Sequence, residues 1–319
     1  MNDVLTTILI TGASGFIGSN LIAEFNSDAI KLYMLCRPSS ELRVNTNINY
    51  TRIICDGIEN LDVSTCPSNI DVVVHLAGLA HIHSHESKYG EHLELSSNIS
   101  KKIAELVEYA SVKHLIFLSS AKVYGETTDK EIKTELSGTN PLSLYAQAKF
   151  NAENIFHTLA GENLRVSIIR PPLVYGAGAK ANVNALLNLS SVLPLNPFRF
   201  FNNKRSMIGV HNLVDFIKVL IFENPRIPYQ FEVFNVSDKT DYSTNDFYQL
   251  LLDAQAKKSA SIPIPLWCYQ CIFRLLGRQD FFLKLSSNFQ IDSLMPKRFY
   301  SWEPKISPKK EITLMLKRP

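Results

Sequence analysis

Cysteine is scarce and scattered: Cys36, Cys55, Cys66, Cys268 and Cys271 are the only five in 319 residues. An odd, dispersed set gives no disulfide framework. Neither sign of charge dominates, since 33 Lys+Arg against 30 Asp+Glu leave a net +3. That balance is too small to argue for a nucleic-acid partner. Long apolar runs are also missing. The longest, Ile262–Leu276, is broken by prolines and by Arg274 and falls short of the ~20 residues of a membrane span. Ile8–Ile10 is too short for a signal peptide and lacks a basic flank. These absences point to a soluble, cytoplasmic chain without a membrane span or nucleic-acid partner. Cys268 and Cys271 form a CxxC, but a zinc site takes about four ligands and no second pair stands nearby. Burial of this segment as a core helix of a smaller domain is the expectation.

What is present is a 45% apolar composition, enough for a substantial core in one large or two modest domains. Short, continuously apolar runs alternate with helical stretches in the first half. Thr6–Ile10, Leu32–Cys36, Arg52–Cys55, Asp71–Leu76, Leu115–Leu118 and Val166–Ile169 read as strands buried on both faces. Phe16–Phe25, Leu93–Tyr109 and Leu144–Leu159 read as helices between them. This alternation predicts an α/β fold, a Rossmann-type doubly wound parallel sheet. After Pro171–Pro172 prolines and aromatics cluster and strand signals thin, apart from a helix at Leu213–Phe222 and a strand at Phe231–Val236. The predicted layout is therefore interleaved. Residues 1–172 plus about 207–236 form the dinucleotide-binding domain. Residues 173–206 plus 237–319 form a smaller, C-terminal substrate-binding domain.

The first strand runs into Thr11-Gly12-Ala13-Ser14-Gly15-Phe16-Ile17-Gly18. A tight turn, a backbone that a pyrophosphate can approach and a closely packed helix each favour glycine there. Gly12, Gly15, Phe16, Ile17 and Gly18 are thus cofactor-binding candidates. A carboxylate at the end of the second strand would bind the ribose hydroxyls of NAD, but the chain reads Cys36-Arg37-Pro38-Ser39-Ser40. Arg37, helped by Ser39, Ser40 or Arg43, suits a 2′-phosphate, so NADP is favoured, with NAD the alternative. Asp56, after the third strand, is a candidate for the adenine amine.

Tyr145 and Lys149 stand four residues apart in a helical stretch and share one face. A protonated Lys149 beside Tyr145 is expected to lower the tyrosine pKa and make it a usable acid/base. The fifth strand ends in Ser119-Ser120, where a hydroxyl can hydrogen-bond a reacting oxygen.

TGASGFIG, HLAG (His75–Gly78), SSAKVYG (Ser119–Gly125), YAQAK (Tyr145–Lys149) and RPPLVYG (Arg170–Gly176) occur in the order and spacing of the extended short-chain dehydrogenase/reductases. The chain resembles the nucleotide-sugar epimerases and reductases of that superfamily. KANVNALL (Lys180–Leu187) and RSMIGVHNLVD (Arg205–Asp215) look most like UDP-N-acetylquinovosamine-type 4-ketoreductases. The resemblance implies that Tyr145 is the acid/base, that Lys149 holds the nicotinamide ribose, and that Ser120 orients the C4 oxygen. It further implies Leu76, Ala77 and Gly78 along the cofactor, Asn98 supporting the active site, and Arg205 and Asn182 near the substrate's diphosphate and nucleotide. Lys122 departs from the small residue usual in UDP-galactose 4-epimerases and becomes a candidate substrate contact. The Asp-Glu pair of the 4,6-dehydratases is replaced by Ala121-Lys122, so dehydration is disfavoured. His81, His83 and His85 form an HxHxH in a loop, for which no metal is expected.

The reading is thus a reductase of a UDP-4-keto-6-deoxy-N-acetylhexosamine for surface polysaccharide synthesis. The alternatives are an NAD-dependent UDP-sugar 4-epimerase and a non-catalytic NADP-binding sensor. Relatives pair through the helices at Leu93–Tyr109 and Leu144–Leu159, which implies a homodimer.

Overall fold

A computed structural model describes residues 5–27, 29–42, 48–78, 89–128, 131–179, 182–257 and 260–317. The apolar runs become β1 (Thr6–Thr11), β2 (Ile30–Cys36), β3 (Asn49–Ile54), β4 (Val72–His75), β5 (His114–Leu118) and β6 (Arg165–Arg170). With β10 (Phe231–Asn235) they form one parallel sheet in the order β3-β2-β1-β4-β5-β6-β10. Strand order reverses between β1 and β4. Such a reversal opens a crevice at the carboxyl ends of the strands, where ligands of doubly wound sheets bind.

Burial on both faces explains why these strands are apolar throughout rather than alternating. One core lies under α1 (Phe16–Ala23) and α5 (Val210–Phe222), where Ile8, Ile10, Leu32 and Val74 meet Leu213, Phe216 and Ile217. The opposite core lies under α2 (Tyr89–Tyr109) and α3 (Leu144–His157), where Leu9, Val73, Leu115 and Phe117 meet Ile103, Leu106 and Phe156. Residues from near the C-terminus return to the first core: Phe299, Tyr300 and Trp302 pack with Phe216 and Phe234.

The rest builds a smaller unit. β7 (Leu173–Tyr175), β9 (Arg205–Gly209) and β11 (Asp241–Tyr242) form a three-stranded sheet, and β8 (Leu195–Asn196) pairs with β12 (Ala260–Ser261). α4 (Asn182–Val192) and α6 (Thr244–Ala254) pack beside them over a third core that includes Phe198, Phe201, Tyr248 and Leu251. α10 (Pro308–Lys317) joins that core through Ile312 and Met315. Asp238 ties β7 to α5: it accepts from the Tyr175 hydroxyl (2.6 Å), the Gly209 amide (3.0 Å) and the Asn212 side chain (2.7 Å).

One expectation fails here. The Cys268–Cys271 segment is helical, as α7 (Leu266–Leu275), but no residue of it is buried. Only its inner stripe packs, with Tyr269 against Phe198 and Phe201. α8 (Gln279–Ser286) follows after Gly277, and α9 (Met295–Tyr300) precedes the return to the first core.

Candidate active site

The glycine turn presses against the end of β4. Gly12 has φ +73°, and a Cβ there would stand 2.7 Å from the Ala77 amide nitrogen. Gly18 leaves room for Gly12 and Ala13, since its Cβ would come within 2.8 Å of the Ala13 Cα. Gly15 begins α1 with no side-chain cap, so the amides of the first turn, from Phe16 and Ile17, stay available for an anion. A backbone cradle that Cβ atoms would fill, at a helix N-terminus, fits the pyrophosphate of a dinucleotide. Thr11 braces it from below: its hydroxyl meets His75 Nδ1 at 2.7 Å and accepts from the Ala77 amide at 3.2 Å. His75 lies stacked on Phe117, with burial and the nearby Lys149 pulling its pKa down to about 3, so the ring is neutral.

Tyr145 and Lys149 project from α3 into a narrow pocket lined by His75, Ala77, Gly78, Ser96, Ser100 and Phe117. Ser143 caps the helix through the Ala146 amide (3.4 Å) and so sets the height of Tyr145. Lys149 is buried, donates to the Leu118 carbonyl at 2.7 Å and sits 4.7 Å from the centre of the Phe117 ring. Burial pulls its pKa down to about 8, against the upward pull of Glu153 one turn along.

The expected lowering of the Tyr145 pKa is not what the structure gives. Burial pushes it up, and only the hydrogen bond with Ser120 draws it back. Lys149 spends its charge on the Leu118 carbonyl, and its ammonium stands 6.0 Å from the phenol ring.

The two serines ending β5 part company. Ser120 turns to Tyr145 and also accepts from the Lys122 amide at 3.3 Å. Ser119 donates to Glu153 instead. Glu153 is gripped by Arg170 (3.0 Å from Nε, 2.5 Å from Nη2), which also donates to the Tyr124 hydroxyl at 2.8 Å. Tyr124 donates to Asn235 at 2.9 Å. This buried chain joins α3, β5, β6 and β10 directly beneath the site, and it escaped the sequence reading. Its one sequence signal was a carboxylate four residues after Lys149, paired with the arginine that opens RPPLVYG.

Other candidates fall elsewhere. Asn98 is exposed on α2; Ser96, Ile99 and Ser100 face the pocket instead, because a two-residue step turns about 200° around a helix. Arg37 and Asp56 are exposed beyond the ends of β2 and β3. Arg52 joins Arg37 at that edge and donates to the Ser40 carbonyl at 3.1 Å. Lys122 is half-buried with its ammonium 3.5 Å from Glu126. Arg205 opens β9, donates to the Ser287 carbonyl at 3.0 Å and lies over Phe289. Asn182 begins α4, but its side chain lies outside the described residues, as do Arg43, His81, His83 and His85. Among the described residues, no three His, Cys, Asp or Glu side chains are grouped to hold a metal ion, and no helix is long and apolar enough to cross a membrane.

A Gly-rich dinucleotide cradle at a sheet crossover, with a Ser–Tyr–Lys set beside it, defines an oxidoreductase of the short-chain dehydrogenase/reductase type. Residues 8–237 match the NAD dependent epimerase/dehydratase family, and the chain belongs to that family. It is 34% identical to a UDP-glucose 4-epimerase of Vibrio cholerae over 93% of this chain and 90% of that one. It is 27% identical to the N-acetyl-alpha-D-glucosaminyl-diphospho-ditrans,octacis-undecaprenol 4-epimerase of Escherichia coli O157:H7, over 88% and 82% of the two. Its fold resembles that of a Thermotoga maritima UDP-glucose 4-epimerase solved with UDP-glucose, with a TM-score of 0.74, 20% identity and 98% of each chain covered. A UDP-glucuronic acid 4-epimerase from Bacillus cereus, solved with NAD, has a TM-score of 0.72 at 18% identity over 97% of each chain.

Proposed function

We propose that the protein is an NAD-dependent 4-epimerase of a UDP-activated hexose or N-acetylhexosamine. The observation that carries this is the meeting of Ser120, Tyr145 and buried Lys149 beside the glycine cradle. The V. cholerae relative, similar along nearly its whole length, supports the C4 assignment. When bound, NAD accepts a hydride from the substrate and returns it. Tyr145 takes the proton of the C4 hydroxyl as hydride leaves, and gives it back as hydride returns. Ser120 hydrogen-bonds the same oxygen as charge builds there. Lys149, held by the Leu118 carbonyl at the wall of the pocket, would hold the nicotinamide ribose of the bound dinucleotide, and the hydrogen bond from Ser120 is what draws the Tyr145 pKa down. Inversion requires the 4-keto sugar to present its other face before the hydride returns, so the site must retain it loosely. Arg205 and Lys122 are our candidates for gripping the diphosphate and the sugar.

A second reading, a 4-ketoreductase using NADPH, is favoured by one observation. The end of β2 offers Arg37, with Arg52 close by, and its first carboxylate is Glu41. Titration of purified protein with NAD and NADPH separates the two. Tightly held NAD supports the epimerase; an open site that prefers NADPH supports the reductase.

A further inference from the structure

α7 and α8 make a hairpin on the smaller unit with two unlike faces. The inner stripe anchors it: Tyr269 donates to the Pro197 carbonyl at 2.5 Å, and Phe273 meets Phe281 and Phe282 at ring separations of 5.4 and 6.3 Å. The outer stripe is apolar where a surface helix is ordinarily polar. Trp267 is 66% exposed, Ile272 50%, Leu275 87%, Leu276 63% and Leu283 54%. An apolar face of this extent marks an interaction site on a soluble protein.

Charge selects the partner. From Ala260 to Ser286 the chain carries Arg274, Arg278 and Lys284 against a single acid, Asp280. Arg274, Arg278 and Lys284 are all exposed. We propose that the α7–α8 hairpin docks the enzyme on an anionic lipid bilayer. The hairpin would lie in the plane of the interface, with Leu275 and Leu276 among the acyl chains and the cations at the headgroups. Trp267 has the amphipathic ring that favours the headgroup level. A second copy of the chain is a poorer occupant, because a two-fold contact would bring the three like charges of one hairpin against those of the other. Gly277, with φ +63° and nothing within 4 Å of a Cβ built on it, lets the chain turn sharply from α7 into α8.

The test uses the full chain and vesicles of phosphatidylcholine with or without phosphatidylglycerol, read by co-sedimentation and by tryptophan emission. The chain has two tryptophans, and Trp302 is 4% exposed, so any blue shift reports Trp267. The proposal expects binding and a blue shift with phosphatidylglycerol at low salt, weakened by added salt. Each removed cation should cost about fivefold in partitioning, so the R274Q/R278Q double variant should bind on the order of 25-fold more weakly. A Leu275→Ser/Leu276→Ser variant should lose vesicle binding while its turnover on soluble nucleotide sugar is unchanged. No binding to phosphatidylglycerol vesicles at low salt overturns the proposal. So does a blue shift that grows with protein concentration in lipid-free buffer alongside dimer formation, since the hairpin would then be a self-association face.

Discussion

Gly78 faces the ammonium of Lys149 so closely that a Cβ built on it would lie 3.0 Å from Nζ. The end of the HLAG segment is thus a spacer for the lysine as well as a wall of the pocket. Gly78→Ala should make the Lys149 ammonium give by a few tenths of an ångström against the Leu118 carbonyl and lower kcat by about threefold, since a full 1 Å misplacement can cost about a hundredfold. Steady-state kinetics checks this; an unchanged kcat would mean that Lys149 has slack the structure does not give it.

Tyr145→Phe removes the only hydroxyl that Ser120 reaches from α3 and leaves the packing intact. Turnover should fall by about 10²–10⁴-fold, the usual contribution of a positioned acid/base. Cofactor binding, measured by titration, should stay within error of the parent.

The pH profile should report Lys149. Its pKa is held down to about 8, so the ammonium that would hold the nicotinamide ribose is lost as pH rises past that point. Activity should therefore fall on the alkaline side from about pH 8. Glu153 is what raises this pKa, so Glu153→Gln should move the alkaline limb to lower pH. The same change leaves the buried Arg170 guanidinium without its carboxylate and should destabilise the fold by about 3–5 kcal/mol. A destabilised variant with an unmoved alkaline limb would make Glu153 structural only.

His75 gives a stability signature in acid. It is neutral and buried in the fold, with a pKa near 3 against an ordinary 6.5. Between those values the unfolded chain binds the proton and the folded one does not, so stability is lost as pH falls through that window. Relative to a His75→Gln variant, the parent should lose about 1.4 kcal/mol more per pH unit there. Denaturant melts at several pH values measure the difference, and parallel slopes would contradict a buried neutral imidazole.

The parallel sheet was legible because burial on both faces writes itself as unbroken apolar runs such as Val72–Val74. Tyr145, Lys149 and the glycine turn were legible because helical spacing and a strand-to-helix turn constrain residue type. The short strands inside the smaller unit were not. β8, β11 and β12 are two residues long, too short to show any period, and their partners are distant in sequence. Asn98 misled because helical phase, not residue type, decides which side of α2 meets the pocket. α7 misled because apolar content was read as burial, and only the fold shows which way Leu275 and Leu276 face. The sign of the Tyr145 shift is set by burial of the phenol, which a helical spacing of four does not reveal.

The most direct test of the central claim is proton NMR of the purified enzyme with UDP-glucose, UDP-galactose and their N-acetylated counterparts, with NAD present in catalytic amount. The account predicts interconversion of C4 epimers with no net change in cofactor redox state, abolished by Tyr145→Phe. Failure to interconvert any of these pairs, together with stoichiometric NADPH oxidation on a 4-keto nucleotide sugar, would contradict it and establish the reductase instead.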